Sequence, residues 1–352
     1  MTHKRSVSAL VLSACFFLLI AILDMPNSIG TTMPSRNALT AAVENSAAAA
    51  NDSLVTQPDD GNATVLSMIA GASTSVDLVM YELTDTDVEK ALADAEKRGV
   101  TVRVLLNQGY YGAASTADKQ VVNQAAYDYL QSATVAVQWT PSTFALTHEK
   151  SMVVDNSKAL IMTYNLQPKY YATSRDFGII DSDPADITAM NTTFTNDWGN
   201  VVATAPTGDD LVWSPNSETS LVALINSATK TLDVYNEEMS DENIVKALLA
   251  AQKRGVTVRV VMTYSSQWKD ELTELTSGGV GVRTYPDTKK APVYIHAKVI
   301  IADAQNMFVG SENFSSTSLS KNRELGILIS NTTIANSIEL VFEKDWNTAT
   351  SD

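Results

Sequence analysis

The sequence predicts an α/β protein: two tandem α/β domains of one design, related by a pseudo-twofold axis. Three observations carry this. Ala95 to Val104 (AEKRGVTVRV) recurs as Ala251 to Val260 (AQKRGVTVRV) at an offset of 156 residues, which also sets Asp77 on Asp233 and Leu92 on Leu248. Farther along, an offset of 148 sets His148 on His296 and Trp198 on Trp346. Within each copy, short apolar runs alternate with stripes of helical period, the pattern of a sheet covered by helices. A self-match on this scale means two copies of a fold, because solenoid repeats are much shorter.

In the first copy, Val76 to Tyr81 is a short, largely apolar run that reads as a buried strand. Thr86 opens the next helix, with Glu89 three residues on as in a capping box. Val88, Ala91, Leu92 and Ala95 follow at i, i+3, i+4 and i+7, one stripe facing the core. Gly99 stands where a helix C′ residue is wanted, and Val100 to Leu105 alternates as the following strand. Ser240, Ile244, Ala247, Leu248, Ala251 and Gly255 repeat the pattern. Such strand–helix–strand units favour a mainly parallel sheet. The change of offset from 156 to 148 puts eight extra residues in the first copy, expected around Tyr110 to Ala126.

Ahead of the repeat, His3-Lys4-Arg5 precedes an apolar run from Val7 to Leu23. That is the pattern of a signal peptide or N-terminal membrane anchor over residues 1–30, and it places the rest of the chain outside the cytoplasm, secreted or tethered. Residues 31–58, rich in Ala, Ser, Thr and Asn, are expected to be a flexible linker. The two domains then take residues 59–205 and 206–352.

With 352 residues and 45% hydrophobic content, the chain has material for sizeable cores. Asp+Glu 40 against Lys+Arg 25 gives a formal charge of −15, which repels nucleic-acid phosphates, so nucleic acid is not the expected partner. The single cysteine, Cys15, falls in the leader, leaving the folded part no disulfide framework and no thiolate metal site. His3, His148 and His296 are the only histidines, too few for a multi-histidine zinc site; no metal or cofactor is expected.

The two internal histidines organise the candidate site. His148, Lys150 and Asp155 form an H-x-K-x4-D motif, and His296, Lys298 and Asp303 form another. Asn165 and Asn313 each lie 17 residues after their histidine, and Asp176 and Glu324 each lie 28 after. One such motif arises by chance at roughly one position in 10⁴. Duplication also copies accidents, so the weight lies in retention: the copies have diverged widely, yet these residues stay in register. Strand alternation puts His and Lys of each motif on one face, and a pseudo-twofold axis brings both faces to one cleft. Two imidazoles, two ammonium groups and two amides suit a phosphate diester: Lys and Asn steady the developing charge, one histidine attacks phosphorus, and the other protonates the leaving alcohol. Asp176 and Glu324 are suited to bind the far nitrogen of each imidazole and fix its tautomer. Asp155 and Asp303 point away from the lysines on a regular strand, so a structural role is expected for them.

At these residues the chain resembles the phospholipase D superfamily, whose signature is H-x-K-x4-D-x6-G-S-x-N in each half. The second copy matches throughout, with Gly310, Ser311 and Asn313; the first carries Met162 and Thr163 before Asn165, the threonine supplying the hydroxyl. The resemblance covers about residues 60–350. It implies a metal-independent phosphodiesterase working through a covalent phosphohistidine, with His148 as nucleophile and His296 as acid then base. Water as acceptor gives phosphatidic acid, and an alcohol gives headgroup exchange. The expected partner is a phospholipid at a membrane interface, with no obligate protein partner. The alternatives are a cardiolipin synthase-like phosphatidyltransferase, an exported nuclease, or a non-catalytic phospholipid-binding protein. Tyr110, Tyr111, Trp139, Phe144, Tyr170 and Tyr171 cluster in sequence around the first motif, as candidates either for a lipid-facing cleft mouth or for ordinary packing.

Overall fold

The computed structural model describes residues 52–109, 122–288 and 291–351. The leader, the expected linker up to residue 51, Tyr110, Tyr111 and most of the segment expected to hold the eight-residue excess lie outside them. The first half runs β1 (Ser53–Gln57), α1 (Ala63–Gly71), β2 (Ser75–Met80), α2 (Thr86–Lys97), β3 (Thr101–Leu106), α3 (Gln124–Ser132), β4 (Ala136–Trp139), β5 (Lys150–Val154), β6 (Lys158–Met162), α4 (Pro168–Tyr171), β7 (Ser174–Asp181) and α5 (Pro184–Trp198). The second runs β8 (Leu211–Ser214), α6 (Glu218–Ser227), β9 (Thr231–Tyr235), α7 (Glu242–Lys253), β10 (Thr257–Thr263), α8 (Lys269–Ser277), β11 (Gly281–Tyr285), β12 (Tyr294–Ile295), β13 (Val299–Ala302), β14 (Asn306–Gly310), α9 (Ser316–Ser320), β15 (Glu324–Ser330), α10 (Thr332–Thr348) and β16 (Thr350–Ser351).

Two eight-stranded sheets result. The first has the order β1-β7-β6-β5-β2-β3-β4, with β12 of the second half added beside β7; the second has the order β16-β11-β10-β9-β13-β14-β15-β8. The strand–helix–strand units do give parallel runs, β2-β3-β4 and β9-β10-β11. The mainly parallel sheet expected from them is nevertheless a mixed one, because β5, β6 and β7, and likewise β13, β14 and β15, pair antiparallel. The cause is local. Asp155-Asn156 (φ 53° and 50°) and Asp303-Ala304 (both φ 55°) occupy the left-handed region that turns a tight hairpin, and so short a link cannot make a parallel crossover.

The caps also differ from expectation by one residue. Asp85, not Thr86, caps α2, its carboxylate accepting from the N–H groups of Asp87 (2.9 Å) and Val88 (3.3 Å). Asp241, not Ser240, caps α7 through Asn243 and Ile244. The stripe holds, with Val88, Leu92 and Ala95 buried and Ala91 partly so. Gly99 (φ +90°) and Gly255 (φ +93°) follow the helices in the left-handed conformation that a side chain resists. The expected linker ends too late: Ser53–Gln57 already pair with β7, from Ser53 opposite Ile180 to Gln57 opposite Asp176, and Val55 and Gln57 are buried there.

Each half keeps its own outer core, Val76, Leu92 and Val104 in the first and Leu232, Leu248 and Val260 in the second. The inner faces of both sheets share a third core with α5 and α10, in which Ile161 and Phe177 meet Tyr235, Val299 and Phe342. The described residues belong to one compact unit. Among them, no helix is long and apolar enough to cross a membrane.

Candidate active site

His148 and Glu149 lie just ahead of β5, and both donate their N–H groups to the carbonyl of Arg323 (2.8 and 3.1 Å). His296 and Ala297, just ahead of β13, donate to the Arg175 carbonyl (3.2 and 2.9 Å). Arg323 and Arg175 directly precede Glu324 and Asp176, so each histidine segment is stitched to a strand of the opposite half. The side chains follow the same exchange. His148 Nδ1 donates to Glu324 Oε2 at 2.8 Å, with the Ser311 carbonyl at 3.1 Å, and His296 Nδ1 donates to Asp176 Oδ1 at 2.8 Å. Each acid thus serves the histidine of the other copy.

Two buried ion pairs lock this exchange in place. Arg175 grips Asp345 of α10 at 2.7 and 3.1 Å, and Arg323 grips Asp197 of α5 at 2.9 and 3.0 Å. Both cross between the halves, and both are forked guanidinium–carboxylate contacts.

Lys150 and Lys298 are fully buried and donate to the carbonyls of His148 and His296. Beyond that they differ. Lys150 Nζ sits 5.0 Å from the centroid of the Tyr81 ring, whereas Lys298 Nζ donates to Glu237 Oε2 at 2.9 Å. Tyr81 and Glu237 occupy the same place in the repeat, 156 residues apart, so one position carries an aromatic ring in one half and a carboxylate in the other. Tyr81 packs edge-on to His148 with ring centroids 4.6 Å apart. Glu237 Oε2 also accepts from Asn313 Nδ2 (3.4 Å) and lies 3.6 Å from His296 Nε2, while Oε1 accepts from the Tyr294 hydroxyl (2.8 Å).

Both histidines, Asn165, Asn313, Glu237 and Tyr294 line one cleft of about 920 Å³. Burial, then the charge of Lys150, pulls the His148 imidazole down to about 4, with Glu324 opposing. Burial and the facing Lys298 bring Lys150 down to about 7. Against its own burial, Glu324 is held below the usual carboxylate range by His148, and Glu237 by Lys298 and then His296. His148 is therefore neutral at pH 7, with Nδ1 committed to Glu324 and Nε2 left for the cleft.

The remaining predicted residues fall around this set. Asp155 and Asp303 do not lie on the strands as expected but in the hairpin turns. There Asp155 accepts from the N–H groups of Ser73, Thr74 and Ser75, and Asp303 from those of Thr229, Lys230 and Thr231. Those bonds tie the end of each motif to the start of β2 or β9. The Thr163 hydroxyl donates to Asp176 Oδ1 (2.6 Å), steadying the acid that holds His296, and Ser311 Oγ accepts from the Leu325 N–H (3.2 Å). Met162 packs in the first-half core, away from the cleft. At the matching Gly310 a Cβ would meet Gly326 Cα at 2.5 Å and the Phe308 ring at 2.6 Å, so the glycine there is demanded by close strand approach.

Of the aromatic residues singled out, Tyr170 and Tyr171 line the cleft. Trp139 instead stacks on Tyr127 at 4.3 Å, and Phe144 lies under the Arg323 guanidinium at 4.2 Å. Sequence reasoning missed Glu237, Tyr81 and Tyr294. The signal for the first two was the repeat itself, which sets Tyr81 on Glu237. Among the described residues, no group of three or more His, Cys, Asp or Glu is arranged to hold a metal ion.

Comparison with known proteins finds relatives for both halves. A family model described as cardiolipin synthase, phospholipase D-like domain, matches residues 65–198 and 221–346, one match in each half. Phospholipase D Z of Dictyostelium discoideum is 24% identical over 361 residues, covering 80% of this chain and 83% of that protein. The virion nicking-joining enzyme of Vaccinia virus (strain Western Reserve) is 32% identical over 133 residues, covering 35% of this chain and 31% of that protein. Among solved structures, the phosphatidylserine synthase of Haemophilus influenzae Rd KW20 superposes with a TM-score of 0.64 at 10% identity, covering 89% and 91% of the two chains, which shows a shared fold.

Proposed function

The chain belongs to the phospholipase D superfamily of phosphodiesterases, and on that premise we propose that it hydrolyses phospholipid headgroups to phosphatidic acid through a covalent phosphohistidine. The observation that carries the proposal is the pair of imidazoles on one cleft, each with Nδ1 fixed by a buried acid of the opposite half. In this reading Lys150, Lys298, Asn165 and Asn313 hold the non-bridging oxygens. His148 Nε2, neutral at pH 7, attacks phosphorus. The alcohol leaves with a proton from His296, which then takes a proton from the water that attacks the phosphohistidine. The bond from phosphorus to the leaving oxygen breaks in the first step, and the phosphorus–nitrogen bond breaks in the second, releasing phosphatidic acid and free His148. No step is assigned to a metal ion. The enzyme is proposed to act at a membrane surface outside the cytoplasm, on the strength of the basic and apolar N-terminal run.

The family description favours a second reading, phosphatidyl transfer to an alcohol through the same intermediate. Against a nuclease, suggested by the nicking-joining relative, stands the cleft itself, where Glu82, Glu237, Glu238 and Asp287 face any polyanion. Trapping tests the proposal. Brief incubation with a phospholipid labelled in its phosphorus, followed by alkaline quench, should leave acid-labile label on wild-type protein, much less on His296→Ala, which lacks the acid for the leaving alcohol, and none on His148→Ala. Label on His148→Ala at unchanged thermal stability overturns the assignment.

A further inference from the structure

Within the proposed phosphodiesterase site, Glu237 stands where an anion-binding site has least use for a carboxylate. Its Oε2 takes the Lys298 ammonium (2.9 Å) and the Asn313 amide (3.4 Å), and it lies 3.6 Å from His296 Nε2. Those are the second-half groups that the reading assigns to the phosphate. The carboxylate is not loosely placed: the Tyr294 hydroxyl holds its other oxygen at 2.8 Å, and the Tyr294 N–H is bonded to the Thr173 carbonyl across the halves. In the first half the same repeat position carries the uncharged Tyr81.

The consequence is a charge count. Bonded to the two motifs stand three carboxylates, Glu237, Asp176 and Glu324, against two lysines, of which Lys150 gives up its charge above about pH 7, and Glu82, Glu238 and Asp287 line the same cleft. A site meant to draw in the most negative phosphate would not hold the third. We infer that Glu237 is a specificity-determining residue that fixes the charge of the phosphate the cleft accepts, admitting monoanionic phosphodiesters and excluding dianionic phosphate monoesters and inorganic phosphate. A diester brings one negative charge for Lys298, joined by Lys150 at lower pH, to share with Glu237. A monoester brings a second, within a few ångströms of a fixed carboxylate in a partly dehydrated cleft. After screening, that repulsion amounts to at least about tenfold in affinity. The same exclusion clears a monoester product once the headgroup has left.

The inference rests on the proposed phosphodiesterase reading, and the test separates the two. Dimethyl phosphate and inorganic phosphate are titrated calorimetrically at pH 8 into wild type and Glu237→Gln, whose amide keeps the volume and removes the charge. Glu237→Gln is expected to tighten both anions, and inorganic phosphate at least about tenfold more than dimethyl phosphate, because the dianion feels the lost carboxylate twice over. Equal changes for the two anions, or none, overturn the inference while leaving the phosphodiesterase reading intact if wild type still turns over phosphatidylcholine. Should Glu237→Gln not fold, wild type alone decides: dimethyl phosphate binding at least as tightly as inorganic phosphate supports the inference, and a tenfold preference for inorganic phosphate overturns it. Absence of binding to either anion in both proteins, together with absence of turnover, overturns both readings.

Discussion

Replacing Glu324 with Gln tests the exchange of acids between halves at the level of a single proton. Glu324 is fully buried, and its two oxygens are differently employed. Oε1 accepts from the Ser318 hydroxyl (2.6 Å) and the Asn322 amide (2.9 Å), while Oε2 accepts from His148 Nδ1 (2.8 Å). A glutamine has one oxygen to give. Two donors already converge on the Oε1 position, so the amide oxygen goes there and the NH₂ group turns to His148. Nδ1 then faces a donor, with only the Ser311 carbonyl left to hold its proton, so the tautomer protonated on Nε2, whose cleft-facing nitrogen has no lone pair, gains weight. The lost charge adds to this. An ion pair about 4 Å apart between charge centres at an effective dielectric of 20 is worth about 4 kcal/mol, of which the amide dipole returns a part. With about 3 kcal/mol missing from the imidazolium-like transition state, kcat should fall by about 10²-fold or more. Because volume and the Ser318 and Asn322 bonds are kept, unfolding free energy should change by less than about 2 kcal/mol. The assay is rapid-quench measurement of phosphohistidine formation beside a urea titration. Formation at the wild-type rate in folded Glu324→Gln would show that the Glu324 charge does not set the state of His148.

Other outcomes follow from the same geometry. Asp197→Ala leaves the buried Arg323 guanidinium without its carboxylate, and urea unfolding should show a loss of about 3–5 kcal/mol, with reduced turnover because the Arg323 carbonyl anchors the His148 segment. At the opposite edge, burial and then neighbouring carboxylates raise Asp52 to about 7 and Asp210 to about 6, and burial raises Asp186 to about 7 against the N–H groups of Asp209 and Asp210. A carboxyl raised on folding stabilises fully below its unfolded value near 4 and loses that contribution as pH climbs through the folded value. Asp186→Asn should therefore raise the urea midpoint at pH 8 and change it little at pH 4, and an equal effect at both pH values would contradict this. Lys150, brought down to about 7 by burial and Lys298, is charged only below that pH in the empty site. Dimethyl phosphate affinity should weaken as pH rises through 7, and in Lys298→Ala, where overall affinity is lower, the midpoint should move upward.

The sequence made the repeat legible because strand and helix positions vary between the copies within a hydrophobic class, whereas His148, Lys150 and Asn165 are identical in their copies. Retention against that background marked them. The exchange of Asp176 and Glu324 between halves was not legible, since a spacing of 28 residues within each copy says nothing about which copy an acid faces. Arg175 and Arg323, and Asp197 and Asp345, also keep the 148 offset, yet alone they read as scattered surface charge; only burial of the forked pairs gives them meaning. Strand direction was misread for a related reason. An apolar run of five residues looks alike in parallel and antiparallel pairs, and the deciding information sat in the Asp155 and Asp303 turns, whose aspartates were already assigned to the motif. Glu237 escaped notice because it falls where the copies differ, and a comparison built on agreement passes over such a position.

The enzyme proposed is a lipid phosphodiesterase that passes through a covalent phosphatidyl-histidine. It is tested most directly by incubating the full chain with phosphatidylcholine vesicles in EDTA and a little ethanol, with plasmid DNA as a parallel substrate. Phosphatidic acid together with phosphatidylethanol and intact plasmid is the expected result. Nicked plasmid with no lipid product, or phosphatidic acid that never partitions to phosphatidylethanol at rising ethanol, would contradict it.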